Sequence, residues 1–325
     1  MTSRRGGEVG RRMPQLESAS KVRGRALYTP DIALPNMLYA AVLRSPHAHA
    51  GIESISTSDA SAMPGVHAVI TSADFPGVKY VHLGAKWSDR YPMAGDRVRF
   101  FGEEVAAVAA ESEEIADDAL GLIEVTYEQL PHVTDFERAL DADAPRIWPE
   151  GNNAGEPKEY TRGDPDAGFL QADITIEGLY HTEVALHNSL EPHGCTALWE
   201  GDRLTVWSST QSVFTVRQEI AAALQLPEHW VRVIKEHMGG GFGAKQISWK
   251  HDVIASLLSR ESGKPVQLML DRRAENLAVG NRNGTTQRVR LGALRDGTLT
   301  AISADILQGR GAYATGGEAS DVSGM

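Results

Sequence analysis

The sequence predicts an α+β fold in two successive blocks, and three observations predict it. Short apolar or alternating runs recur along the chain, separated by Gly, Pro and acidic clusters, as strands and turns are. Segments with helical spacing fall between some of these runs. A stretch over 136–162, rich in Pro, Gly, Asn and acid, divides the two patterned parts as a linker does. Strands mixed with short helices, without a regular strand–helix alternation, mark the α+β class.

The elements follow in order. Residues 1–18 are polar and rich in Gly and Arg, and read as an arm. In the first block, 19–135, Met37 to Leu43 is a strand-like run bounded by Pro35 and Pro46. Asp59 to Met63 reads as a short helix stopped by Pro64-Gly65, and Ala68 to Ile70 as a strand. Arg97 to Phe100 and Val105 to Ala110 are strand-like, with Gly102 between them. Glu113 to Leu122 has helical spacing, and Ile123 to Tyr127 alternates like a half-buried strand. The second block, 163–325, opens on Asp164-Pro165-Asp166, a helix N-cap followed by Pro at the first helical position. Ile174 to Tyr180, Leu204 to Trp207, Val231 to Ile234 and Val266 to Leu270 read as strands, as do the runs 287–291 and 298–307. Val213 to Leu224 reads as a helix ending before Pro227, and a second helix is expected from Ile247 to Arg260.

Composition excludes several classes. With 42% hydrophobic and 23% charged residues, the chain is not a disordered one. Its 32 basic and 43 acidic residues give a net charge of −11, unsuited to nucleic acid or an anionic membrane. The single cysteine, Cys195, excludes an internal disulfide, a CxxC zinc site and an iron–sulfur cluster held by this chain alone. No apolar run approaches the ~18 residues of a membrane span. The pairs Arg4-Arg5 and Arg11-Arg12 lack the apolar stretch of a signal peptide. A soluble cytoplasmic protein is the expectation.

Three clusters could carry chemistry. Met238 to Lys245 is a glycine-rich loop whose backbone amides can approach a ligand closely. A strand before it and a helix after it would set those amides at a helix N-terminus, where phosphate or another anion binds. Lys245-Gln246 does not complete a Walker A motif. Gly239, Gly241 and Ala244 do fit a loose dinucleotide pattern, with Asp271 available for a ribose, so an NAD(P)-dependent Rossmann dehydrogenase competes. The second cluster is Leu190 to Cys195. His181, His187 and His193 around it could be metal ligands, but Pro192 and the lack of a carboxylate pattern weigh against that. Cys195 reads as a buried inert thiol before it reads as a nucleophile. The third is Ser208-Ser209-Thr210-Gln211, either a helix cap with a solvated amide or a neutral amide donor to an oxo or phosphate group.

In this order the segments resemble the molybdenum hydroxylase family of xanthine dehydrogenases and aldehyde oxidoreductases, over nearly the whole chain from Lys21 onward. Lys21 to Thr29, Leu43 to Ala50, Gly102 to Ala106 and Tyr127 to Pro131 resemble its a/b hammerhead domain. Glu191-Pro192-His193, Ser209-Thr210-Gln211 and Gly239 to Lys245 resemble the first half of its molybdopterin-binding domain. The resemblance implies that Gln211 donates a hydrogen bond to an oxygen ligand of molybdenum, and that Gly240, Gly241, Phe242 and Gly243 bind the cofactor. The metal would be held by the pterin dithiolene, in a pterin of the cytosine dinucleotide form, so this chain supplies no metal ligand. The implied reaction hydroxylates a carbon beside nitrogen or oxygen with oxygen from water. Electrons would then leave to [2Fe–2S] clusters and FAD on partner subunits. Gln246 stands where purine-oxidising members carry a substrate-binding glutamate, so an aldehyde or N-heterocycle is as good a candidate substrate as a purine. The catalytic glutamate and the arginine-containing substrate loop would lie beyond residue 325, in the C-terminal half of the molybdopterin domain. The general base is therefore not assigned here, and the chain alone is expected to be inactive. A third, non-enzymatic reading is a truncated interaction module.

Overall fold

The computed structural model describes residue 10 and residues 12–79, 91–148, 153 and 157–313. Most of the arm expected over 1–18, part of the 136–162 stretch and the glycine-rich end lie outside the described residues. The first block forms α1 (Ser18–Val22), β1 (Leu38–Arg44), β2 (Ala50–Ser56), α2 (Ser58–Ala62), β3 (Val66–Thr71), β4 (Arg97–Val98), β5 (Glu104–Ala110), α3 (Glu113–Leu120) and β6 (Glu124–Gln129). The second forms α4 (Pro165–Gln171), β7 (Ile174–Thr182), β8 (Gly194–Glu200), β9 (Arg203–Ser208), α5 (Val213–Ala223) and β10 (Val231–Ile234). It continues with α6 (Lys250–Ser262), β11 (Val266–Met269), α7 (Arg272–Ala278), β12 (Thr285–Ala293) and β13 (Leu299–Gln308).

One seven-stranded sheet joins the two blocks, in the order β10-β9-β8-β11-β1-β5-β3. The seam is the parallel pair β1–β11, with Leu38 opposite Val266. β5 lies between β1 and the edge strand β3 and is buried along its whole length, which its Glu-Val-Ala-Ala-Val-Ala-Ala sequence allows because small side chains admit helices on both faces. Ala107 and Ala109 face α6, while Ala106, Val108 and Ala110 face α2 and α3. α6 is buried from Lys250 to Ser259 and forms the main core with Leu204, Val206, Val216, Ile220 and Leu268. Two three-stranded sheets complete the fold, β4-β2-β6 beside the first block and β13-β12-β7 beyond the second. The described part of the 136–162 stretch is docked on the body. The Arg99 guanidinium lies 3.9 Å from the Trp148 ring centre, and Trp148 Nε1 donates to the Ala312 carbonyl.

The expected elements β1, α2, β3 to β6, α3, α4, β7, β9, α5, β10, β11, β12 and β13 all form, with shifted ends. Asp164 caps α4 as expected, accepting from Ala167 N at 3.0 Å. Four further elements form without a sequence signal, the first being the five-residue α1. β2 and β8 carry Gly, Ser, Cys and Thr where a strand pattern needs bulk, and α7 is one polar turn pair of seven residues. The helix expected from Ile247 starts at Lys250. Asp252 sets that start by accepting from Trp249 N at 3.1 Å.

Candidate functional site

The sheet order gathers the three clusters. β9 and β10 run parallel and end together, with Trp207 opposite Ile234. β8 runs against β9, so its first residues lie beside the end of β9, Cys195 opposite Ser208. β11 ends at the same edge, Met269 opposite Gly194. The turn into β8, the turn out of β9 and the glycine loop out of β10 are therefore neighbours along one edge of the sheet.

Hydrogen bonds fix their mutual arrangement. The Gln211 side-chain carbonyl accepts from Gly243 N at 2.9 Å and from Lys245 N at 3.3 Å. Gln211 N donates to the Lys245 carbonyl at 2.6 Å, and Thr210 Oγ1 donates to the same oxygen at 3.0 Å. With its oxygen occupied, the Gln211 amide has only its NH2 end left, and among the described residues that end has no partner. Such donor-only presentation is what an oxo or phosphate oxygen requires. The backbone amides of Gly240, Gly241 and Phe242 likewise have no acceptor among the described residues. A Cβ at Gly241 would stand 2.6 Å from Gln211 Oε1, so glycine is needed for the loop and the amide to lie side by side. Phe242 takes φ +50°, uncommon for a non-glycine residue, and leaves its ring 72% exposed. Gln246, one residue past Lys245, is exposed and makes no hydrogen bond among the described residues.

Beneath this surface lies a buried polar layer. Glu191 accepts from Thr29 N at 3.0 Å and from Gly239 N at 2.6 Å, tying the first block to the loop. Lys245 is fully buried; its Nζ donates to the carbonyls of Glu191 at 2.7 Å and Pro192 at 3.1 Å, and to Ser209 Oγ at 2.5 Å. Burial pulls its pKa down, and Glu191 and Glu275 partly restore it. His193 Nδ1 lies 2.8 Å from Glu275 Oε1, which also accepts from His193 N. The pKa of Glu275 is lowered: burial works against this, and the His193 bonds outweigh it. Arg272 Nη2 donates to the Ser189 carbonyl at 2.9 Å and holds the same turn from α7.

Several sequence expectations change here. The glycine loop does not open on a helix N-terminus; residues 244–249 intervene, and the amides of α6 are capped by Asp252 and by Glu219, which accepts from Ser248 N. Asp271 holds no ribose position: it is the N-cap of α7, accepting from Ala274 N at 2.6 Å. β10 is an edge strand of a mostly antiparallel sheet, so the dinucleotide fold that Gly239, Gly241 and Asp271 would need is not formed. His181 is exposed and pairs with Thr286, while His193 is buried against Glu275. Among the described residues no three His, Cys, Asp or Glu side chains are grouped to hold a metal ion. Cys195 is buried, and burial first, then Asp252, pushes its thiol well above the usual range, which leaves it protonated and unreactive. Ser208 does not cap α5 but donates to Asp252 Oδ1 at 2.9 Å. Glu275 and the buried role of Lys245 had no sequence signal, because each depends on partners far apart in the chain.

This two-block α+β protein sets backbone amides that have no acceptor among the described residues beside a fixed amide donor, an arrangement that offers donors suited to an anionic group. Comparison with known proteins gives the family. Residues 148–323 match the molybdopterin cofactor-binding domain, and residues 23–131 match the aldehyde oxidase and xanthine dehydrogenase a/b hammerhead domain. The nicotinate dehydrogenase large molybdopterin subunit of Eubacterium barkeri is 35% identical over 312 residues, 96% of this chain and 72% of that protein. The xanthine dehydrogenase molybdenum-binding subunit of Escherichia coli O157:H7 is 36% identical over 93% of this chain and 41% of that one. The structure of reconstituted CO dehydrogenase from Oligotropha carboxidovorans superposes with a TM-score of 0.83 at 31% identity, over 91% of this chain and 39% of that one. The chain belongs to the molybdenum hydroxylase family of xanthine dehydrogenases and aldehyde oxidases. It spans most of the first of these relatives and about two fifths of the other two. Among the described residues no helix is long and apolar enough to cross a membrane.

Proposed function

We propose that this chain is the molybdopterin-binding part of a cytoplasmic molybdenum hydroxylase that oxidises aldehydes or N-heterocycles with oxygen derived from water. It would work in a complex with an iron–sulfur subunit and an FAD subunit, together with the C-terminal half of the molybdopterin domain. One observation carries this: the amides of Gly240, Gly241 and Phe242, without an acceptor among the described residues, stand beside a Gln211 amide whose oxygen is already used. These residues fit the group, since they offer donors only, and the space beside Gly241 would be filled by any Cβ. Gln211 and residues 240–243 would hold the molybdopterin, in its cytosine dinucleotide form. When bound, it supplies the two-electron oxidation chemistry of the site. The chain's own residues do the positioning. Gln211 Nε2 donates a neutral hydrogen bond to an oxygen placed there, and the loop amides bind negative charge without a cation. Exposed Gln246 offers substrate a neutral amide rather than a carboxylate, which favours substrates that need no charged partner. No residue of this chain is assigned as the general base.

The test is to produce the chain in a host that makes the dinucleotide pterin, and to measure molybdenum together with CMP released by acid. Stoichiometric amounts of both are expected, with no binding of NAD(P) in titration. In the completed complex, Gln211→Ala should lower turnover about ten- to hundredfold, as removing a group that orients a metal centre does. A chain that folds but carries neither molybdenum nor CMP would overturn the proposal.

A further inference from the structure

Among the described residues, Lys245 joins all three clusters. Its ammonium has three protons and three acceptors: the Glu191 carbonyl, the Pro192 carbonyl and Ser209 Oγ. Its main chain is used as fully. Lys245 N donates to Gln211 Oε1, and its carbonyl accepts from Gln211 N and Thr210 Oγ1. The side chain therefore fastens the turn into β8 to the end of β9, while the backbone of the same residue sets the orientation of the Gln211 amide. Glu191, 3.8 Å from Nζ, continues the fastening to Gly239 N and Thr29 N. A fully buried ammonium is costly unless every proton finds an acceptor, and here each does. An apolar side chain would fill the same space at less cost, so packing alone does not account for a lysine here.

We propose that Lys245 is a positioning residue for the cofactor seat: its buried ammonium locks the turn at 189–193, the 208–211 turn and the glycine loop into the one arrangement that sets Gln211 and the free loop amides side by side. This rests on the molybdopterin reading of the site, and it adds a residue that never touches the cofactor. The ammonium acts through Ser209, the two carbonyls and the neighbouring Glu191 carboxylate, so its loss should loosen the loop before it loosens the sheet.

The experiment is amide hydrogen exchange on the full chain, wild type against Lys245→Met, with molybdenum per chain measured on the same samples. Lys245→Met keeps an unbranched side chain one atom shorter and removes its donors. Exchange at Gln211, Gly243 and residue 245 should accelerate by about tenfold or more, while β1, β5 and the middle of α6 keep their protection. Molybdenum per chain should fall by about tenfold. Unchanged loop exchange together with unchanged molybdenum would show that the lysine only fills space, and the proposal would fall. If Lys245→Met does not fold, Ser209→Ala and Glu191→Gln decide instead. Faster loop exchange over an intact sheet in both supports the proposal, and none in either overturns it. A wild type that carries no molybdenum defeats the molybdopterin reading, yet the exchange comparison still decides whether Lys245 organises the loop.

Discussion

Glu104 and Asp252 are both buried carboxylates, and they answer pH in opposite senses. Burial pushes Glu104 up, but Lys250 Nζ at 2.9 Å and Arg44 Nη1 at 2.8 Å outweigh it and hold its pKa down to about 2, against an ordinary 4.5. Between those values the unfolded chain binds the proton and the folded chain does not. Stability from this group is therefore complete above about pH 4.5 and is lost as pH falls toward 2, by about 3 kcal/mol. Asp252 has no cation in hydrogen-bond contact; burial raises its pKa from 3.8 to about 6, and bonds from Ser208, Trp249 and Ser248 only moderate this. Here the folded chain binds the proton more tightly, so stability falls as pH rises from about 4 to about 6. Urea unfolding measured from pH 2 to 7 should show both limbs. Glu104→Gln should flatten the acid limb and lower stability at pH 7, because it leaves Arg44 buried against a neutral group and Lys250 with only Glu103, 3.5 Å away. An acid limb of the same slope in that variant would show that other carboxylates set it.

At the scale of elements, the glycine loop depends on what it lies against more than on its own flexibility. Gly240 and Gly243 need glycine for backbone reasons, at φ +107° and +99°, whereas Gly241 needs it for space, with Gln211 Oε1 2.6 Å from where a Cβ would stand. Gly241→Ala should push the Gln211 side chain off its two amide donors. Bound molybdenum should then fall about tenfold with little change in melting temperature. Retention of molybdenum at the wild-type level would mean that Gln211 and the loop need not touch. The contrast between these glycines also shows what was legible in the sequence. Strands whose pattern has bulk, such as Val231–Ile234 and Leu204–Ser208, could be read directly. So could the cap at Asp164, because one residue and its near neighbours decide it. β8 could not, since Gly194 to Ala197 are small and their burial comes from β9, β11 and α6 around them. Gln211 and the glycine loop could be singled out by residue type, yet their adjacency comes from the parallel pairing of β9 and β10. Asp271 shows the converse: its spacing from the loop suited a ribose ligand, and a seven-residue helix used it as a cap. Local chemistry was readable, and partners brought in by sheet order were not.

At the scale of the molecule, the outer sheet presents a face that no other described element covers. Register places Ile176, Leu291 and Ile302 on one face of β7-β12-β13, with Ile174 and Tyr180 beside them on β7. α4 packs on the opposite face, where Phe169 meets Gly292 and the Arg290 guanidinium. On the open face Ile176 is 63% exposed, Tyr180 57% and Ile302 53%. Contiguous apolar surface of this kind marks an interface, and each large aliphatic side chain fully removed from water contributes about 1.5–3 kcal/mol. The chain produced by itself should therefore self-associate through this sheet, with a dye that binds exposed apolar surface reporting the same face. Ile176→Ser combined with Ile302→Ser should lower that association, seen as a smaller mass by sedimentation at the same concentration. Neither residue lies near Gln211 in the sheet order, so bound molybdenum and loop exchange should stay as in the wild type. Sedimentation of the unsubstituted chain as a monomer at high concentration would sink this prediction. Self-association that persists unchanged in the double variant would move the interface elsewhere, to the apolar side chains of Leu16 and Val22 near the N-terminus, which are fully and largely exposed.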